Sequence, residues 1–244
     1  MPVSNVSATQ ARTVYASAGG SSLRGRAAAT NGNTINTTSS GLLLAYFIHT
    51  SLGVYVNYRS FLNFDLSSLS GTVTAVSLTL TRINSGNFPD QFILASEAGD
   101  NLATTDYLDG IVGASSYPFT SDATKFIDSA ETLSDGGGDG DTFTINLNAA
   151  AVSHANAVIG TSNRFKCVFV NTHDFNDTYD ADDDGFSNAL ALQGLQASST
   201  DDGTSADYPI LNVTTSDAVS EDVISTLTLK GWITTIKGGI VTIK

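Results

Sequence analysis

Val73–Thr81 carries the clearest period-two pattern in the chain. Val76, Leu78 and Leu80 alternate with Ser77, Thr79 and Thr81, which predicts a strand with one buried and one wet face. Hydroxyl side chains on the wet face suit an exposed sheet without using charge. Tyr55–Phe64 also alternates. Tyr55, Asn57, Arg59, Phe61 and Asn63 fall on one side, and Val56, Tyr58, Ser60, Leu62 and Phe64 on the other. The second set is more apolar and is expected to face the core. Thr142–Asn148 sets Phe143, Ile145 and Leu147 against Thr144 and Asn146, another half-buried strand. Phe165–Val170 reads as a central strand. Pro209–Thr214 reads as a late one, with Pro209 tolerated at its start. Leu42–Ile48 and Phe92–Ala95 are further strand candidates, and the stretch around Phe126-Ile127 fits a strand or a short helix.

Between these runs the chain changes character. Residues 1–40 read as an irregular N-terminal segment, rich in Ser, Thr, Asn and Gly, with a short strand near Thr13–Tyr15. Asp65–Leu69 is a turn that Gly71 ends. Asn148 is a helix N-cap, Ala149–Ile159 fits a short helix, and Gly160 stops it. Ser134–Asp141 and Asp174–Asp184 are exposed loops, the second strongly acidic. Val223–Leu229, Gly231–Ile236 and Ile240–Ile243 are short strands at the C-terminus. Many short strands and few helices predict an all-β sandwich.

Composition narrows the function classes. Of 244 residues only 14% are charged, against about 25% in an average globular chain. Ser and Thr number 29 and 30, so hydroxyls rather than ammonium groups cover the surface. A hydrophobic content of 41% is enough for a core and excludes global disorder. The net charge of -13 is unevenly spread. Residues 83–222 hold 23 acids against Lys125, Arg164 and Lys166, whereas residues 223–244 hold Lys230, Lys237 and Lys244 and no acid. An acidic middle repels nucleic acid, and no basic stripe with aromatics is seen. No apolar stretch approaches the 18 residues that suggest a membrane span, and Met1–Asn5 does not look like the start of a signal peptide. The single cysteine, Cys167, sits in an apolar run and reads as a buried small hydrophobe.

The order of these pieces resembles the DNRLRE-type, or disaggregatase-related, carbohydrate-binding-like domains. Tyr58–Leu69 looks like that family's arginine-bearing strand, ending in Phe64-Asp65 and a short Ser/Leu turn. Val73–Leu80 looks like the strand that follows. Thr142–Leu147, the helix at Ala149–Ile159 and Phe165–Val170 match the closing half in order, and Tyr208–Thr214 looks like the final strand. The resemblance covers roughly residues 12–215. It implies a jelly-roll β-sandwich with one short helix over residues 1–215, and leaves 216–244 as a separate strand-forming C-terminal tail without counterpart. Such modules occur in secreted surface proteins and are similar to domains in phage virion proteins. The resemblance therefore implies binding or structure, with no enzyme activity. The expectation is a phage virion structural protein, a head-decoration, fibre or tail component located in the virion. The alternative is a carbohydrate-binding module that attaches to glycans at the extracellular surface.

Candidate sites are few. Asp180, Asp182, Asp184 and Gly185 have the 1, 3, 5, 6 spacing of a calcium loop, to which Phe186 can add a carbonyl and Asn188 an oxygen through water. Position 12 is Ala191 rather than a bidentate Glu, so the loop is no EF-hand. Calcium is one reading, and a solvated acidic loop is the other. Asp135, Asp139 and Asp141 form a weaker candidate. His49, His154 and His173 are scattered, with no paired metal-ligand spacing. Arg59, next to Phe61 and near Asp65, can pair with an internal carboxylate, and its strand neighbours make fold support the favoured reading. No nucleophile elbow, dinucleotide fingerprint or phosphate loop occurs. In the tail, Leu227, Leu229, Trp232, Ile233 and Ile236 are the expected partner contacts, with Trp232 as an interface anchor. The expected partners are other copies of the chain, a trimer in the case of a fibre or spike, and other virion proteins.

Overall fold

The computed structural model describes residues 1–19, 32, 34–36, 42–43, 47–49, 54–81, 90–114, 117, 123–131, 140–177, 196–197, 208–216, 225–229 and 232–236. Period-two alternation builds the first half of the sheet. In β6 (Thr72–Thr81), Val73, Val76, Leu78 and Leu80 are buried while Ser77, Thr79 and Thr81 are half-exposed. The break in spacing between Val73 and Val76 is a bulge. Thr74 is the extra residue opposite the Thr214–Thr215 step of β11 (Ile210–Ser216), so valines on both sides of it point inward. β8 (Thr142–Asn146) pairs with the other edge of β6 and buries Ile145. Each buried leucine or isoleucine here contributes roughly 1.5–3 kcal/mol of transfer free energy.

The second half is built on β5 (Val54–Asp65) and β9 (Arg164–Asn171), which pair from Ser60↔Phe169 to Asp65↔Arg164. β7 (Gln91–Ala95) adds to the far edge of β9, and its own outer edge is met by 124–131 through Phe126 N to Ile93 O (2.7 Å) and Glu131 N to Gln91 O (2.9 Å). The stretch around Phe126-Ile127 is thus neither helix nor strand. It is irregular chain with two buried apolar residues that seal a sheet edge.

β1 (Val3–Gly19) joins the two halves. Its first residues pair with β11, Val3↔Thr214 to Ser7↔Ile210, and its remainder with β5, Ala8↔Phe64 to Gly19↔Val54. The change of partner falls at a bulge. Thr9 is the extra residue between Ala8↔Phe64 and Gln10↔Asn63, and bulges let a strand pass from one sheet layer to the next. The expectation of an irregular start with a short strand near Thr13 is corrected: a 17-residue strand runs there. Its side chains are small, with Ala8, Ala11, Val14 and Ala16 buried. They supply little hydrophobic signal, and ladder bonds to three strands fix the segment instead.

The result is an all-β domain with one curled antiparallel sheet, in the order β7-β9-β5-β1-β11-β6-β8, broadly sandwich-like. β2 (Thr34–Asn36) lies beside β1, and β4 (Phe47–His49) beside β5. β3 (Leu42–Leu43) and β10 (Gln196–Ala197) form a separate pair. Three short helices are described where one was expected. α1 is Asp106–Asp109, α2 is Ala149–Val158 and α3 is Thr172–Asn176. α2 matches the expectation in detail. Asn148 accepts from Ala150 N and Ala151 N, and Gly160, at φ +68°, takes the left-handed position past its end.

β12 (Ser225–Leu229) and β13 (Trp232–Ile236) pair with each other as a separate two-stranded sheet. The register runs from Ser225↔Ile236 to Leu229↔Trp232 across Lys230-Gly231. It places Leu227, Leu229, Trp232 and Ile236 at positions of one face, and Ile233 on the other face with three threonines.

Candidate functional site

Two polar clusters stand out, one sealed and one open. The sealed cluster starts from β5. Asn57 and Arg59 sit two residues apart on one face, and both are fully buried. β9 ends at Asn171, whose side chain accepts from Asp174 N (2.8 Å) and so caps α3. That turn swings Asp174 back over β5. Arg59 then meets Asp174 through two parallel bonds, Nε to Oδ2 at 2.8 Å and Nη2 to Oδ1 at 2.9 Å. Its Nη1 donates to the carbonyl of Tyr107 (2.6 Å), and its guanidinium lies 4.0 Å from the centre of the Tyr107 ring. Asn57 Nδ2 donates to Tyr107 Oη (2.6 Å) and Asp174 Oδ2 (2.9 Å), and its own carbonyl accepts from Asn171 Nδ2 (3.2 Å).

Burial alone would pull the Arg59 guanidinium down. The Asp174 carboxylate overrides burial, helped by Tyr107, and holds Arg59 above its ordinary value. Both partners of the pair have zero exposure. A fork-to-fork pair that is also bonded to Tyr107 O and Asn57 is a fastening between sheet and helices. The expectation that Arg59 supports the fold through an internal carboxylate is met, and the carboxylate is Asp174. Asp65, the nearer acid in sequence, turns instead to Ser67 N (2.9 Å). Asp174 does not belong to an exposed acidic loop, because it lies in α3.

The open cluster lies at the other end of β9, in a cleft of about 360 Å3. Alternation puts Arg164 and Lys166 on the same side of β9 while Phe165 and Cys167 point into the core. Asp100, in the chain after β7, bridges them: its Oδ1 is 3.1 Å from Lys166 Nζ and its Oδ2 is 3.7 Å from Arg164 Nε. Lys166 Nζ also donates to Ala98 O (2.7 Å), and Arg164 Nη1 donates to Thr9 Oγ1 at the β1 bulge. Glu97 completes the acidic rim. His154 and Val158, one turn apart on α2, form the apolar wall. The His154 ring packs 5.2 Å from Phe165 and 5.4 Å from Phe126, and its Nε2 is buried without a hydrogen-bond partner among the described residues. Burial lowers its pKa, so the ring is neutral at pH 7.

The other expected residues fall as follows. Asp180, Asp182, Asp184, Phe186 and Asn188 lie outside the described residues, as do Asp135 and Asp139. Among the described residues no three metal-ligating groups converge. Cys167 is fully buried, and burial pushes its thiol pKa up. His173 lies in α3 and His49 in β4. Leu227, Leu229, Trp232, Ile233 and Ile236 belong to the C-terminal hairpin. Sequence reasoning missed Asp174 and the Asp100 bridge. Asn171-Thr172-His173-Asp174 carries a capping pattern directly after an apolar strand, a signal for the first. Nothing local signals the second, which depends on two strands meeting. No protein-family model matches the chain, and no curated protein matches it in sequence.

Proposed function

We propose that the chain is a non-catalytic structural protein of a virion, a head-decoration, fibre or tail component, that acts through protein–protein contacts. The observation that carries this reading is the C-terminal hairpin. Among the described strands, β12 and β13 pair only with each other, and an isolated two-stranded hairpin is marginally stable at best. Its register gathers Leu227, Leu229, Trp232 and Ile236 on one face. An apolar face of that kind needs a cover. The three lysines of residues 223–244 complement the acidic middle of the chain. The occupant in this reading is a second copy, in a symmetric homo-oligomer that is a trimer for a fibre or spike. A jelly-roll wiring belongs to the same reading. The antiparallel pairing within the main sheet and the passage of β1 between its halves support it. So does the resemblance of Tyr58–Leu69 and Val73–Leu80 to the DNRLRE-type domains, modules that are similar to domains in phage virion proteins.

The test is truncation after Asp222, with mass in solution measured by light scattering beside the full chain. The full chain is expected to be a defined oligomer and the truncated one a folded monomer. If both are monomers, the assembly role is wrong.

A further inference from the structure

We infer that β8 is the acceptor of the C-terminal hairpin: β13 of a second copy pairs antiparallel with its outer edge. This rests on the assembly reading and names the surface that receives the hairpin. Ladder bonds alternate in direction along an antiparallel strand. Leu147 N donates to Val76 O (2.9 Å), so Ile145 and Phe143 also bond toward β6. The backbone N–H and C=O groups of Thr142, Thr144 and Asn146 therefore point away from β6, and all three residues are exposed. Among the described residues no strand pairs with that edge. The outer edge of β7, by contrast, is met by residues 124–131. Val3, Asn5 and Ser7 form a second open edge, since Thr215 N bonds Pro2 O and Ala8 N bonds Pro209 O on the β11 side. Neither Thr142–Asn146 nor Val3–Ser7 contains a charge or a proline, the usual devices against edge pairing.

Charge chooses between the two edges. Asp141 directly precedes β8, and Asp128 is held past its end by Asn148 Nδ2 (2.9 Å). Residues 1–64 contain no acid. β13 is flanked in sequence by Lys230 and Lys237. Across the two-residue turn Leu229↔Trp232 is a bonded pair, so Ile233 and Thr235 turn their backbone groups away from β12. Ile233 or Thr235 then stands opposite Thr144, on the exposed face. Either register brings Lys237 within one residue of Asp141 and Lys230 within one of Asn148. Leu227, Leu229, Trp232 and Ile236 take positions on the face of Phe143 and Ile145, where β8 covers the core. Chain length decides which copy supplies the strand. Ser216 ends β11 beside Thr72, whereas this pairing sets Ser225 near the level of Thr81, four strands away. With strands about 4.8 Å apart and a rise of about 3.3 Å per residue, that is roughly 35 Å. The nine steps from Ser216 to Ser225 reach about 32 Å at most. The hairpin therefore crosses to a neighbour.

The test uses the full chain. The Thr144 N–H faces outward, so Thr144→Pro removes no bond to β6 but blocks an added strand. Asn5→Pro does the same at the β1 edge. Light scattering should find the parent chain and Asn5→Pro as the same oligomer and Thr144→Pro as a monomer, each with a cooperative melt. If Thr144→Pro keeps the oligomer that truncation after Asp222 abolishes, assembly stands and the β8 site is wrong. If Asn5→Pro is the variant that dissociates, the acceptor is β1 and the inference falls. A monomeric parent chain overturns the assembly reading and this inference with it. Should Thr144→Pro not fold, cross-linking decides. Thr144→Cys and Thr235→Cys are placed on two differently tagged chains, which are co-expressed and treated with a short bismaleimide. Cys167 is fully buried and stays out of its reach. A link between the two tags is expected, and none when Asn5→Cys replaces Thr144→Cys. No link, or equal links for both pairs, overturns the inference.

Discussion

β6 and β5 carry the same kind of alternating sequence into different surroundings. On β6 the outward residues meet solvent and one another. Thr79 and Thr144 bond at 2.8 Å across the β6–β8 ladder, and Asn212 Nδ2 reaches Thr79 Oγ1 at 2.9 Å. On β5 both faces are covered. Asn57, Arg59, Ser60, Phe61, Leu62, Asn63 and Phe64 are all buried, and only Tyr58 between them is half-exposed. Arg59 lies under Tyr107 of α1, Phe61 lies beside Gly110 at the end of that helix, and α3 closes over Arg59 through Asp174. A polar side chain on β6 has water as a partner, whereas one on β5 must find a partner inside the protein. The interior network is the consequence, and Thr13–Ser60 (2.9 Å) and Asn63–Gln10 (2.9 Å) repeat it along the β1–β5 ladder.

Substitutions separate the two environments. Asp174→Ala should cost about 3–5 kcal/mol in chemical denaturation, because it strands the Arg59 charge where water cannot reach it. Leu78→Ala, on the inward face of β6, should cost about 3 kcal/mol by cavity formation. Gly110→Ala tests the cover over β5. A Cβ there would lie 2.6 Å from Asp106 O and 3.1 Å from Phe61 Cε1, so a loss of about 1–3 kcal/mol is expected. Thr144→Ala, on the wet side of the β6–β8 ladder, should stay within about 1 kcal/mol.

The smallest effect is a pH slope. The unfolded chain takes up a proton at His154 near 6.5, whereas burial lowers the folded value. Stability from this group is complete above that pH and is lost as pH falls through it toward the folded pKa. Urea midpoints measured between about pH 7 and 5 should fall with acid in the parent chain, and less steeply in His154→Phe. Equal slopes would show that the packed imidazole is not what responds.

The contrast between the strands also marks what was legible in the sequence. Val76, Leu78 and Leu80, the inward set of β8, and the Asn148-capped helix were readable because water on one side enforces their pattern. The assignment of faces on β5 captured only one of its two covered faces. Leu62 and Phe64 do face the core, but Asn57, Arg59 and Phe61 are buried as well. Their cover comes from residues about 50 and 115 positions away, and no local period reports it. β1 was misread for a related reason, since its buried alanines owe their place to neighbouring strands. The role of Arg59 was readable because an arginine amid strand-forming apolar residues needs an acid, while Asp174 was hidden by its acidic neighbours. The cleft was not legible, because Asp100, His154 and Lys166 come together only when three elements close on one another.

The buried Arg59–Asp174 pair fastens the fold, each charge balanced there by the other. A double-mutant cycle on Arg59 and Asp174 tests it most directly, using Arg59→Met, Asp174→Leu and the pair together in equilibrium denaturation. Each single change should cost about 3–5 kcal/mol. The double change should cost less than the sum by about 2–3 kcal/mol, since it leaves no unpaired charge. Additivity within about 0.5 kcal/mol, or single variants as stable as the parent chain, would contradict the claim.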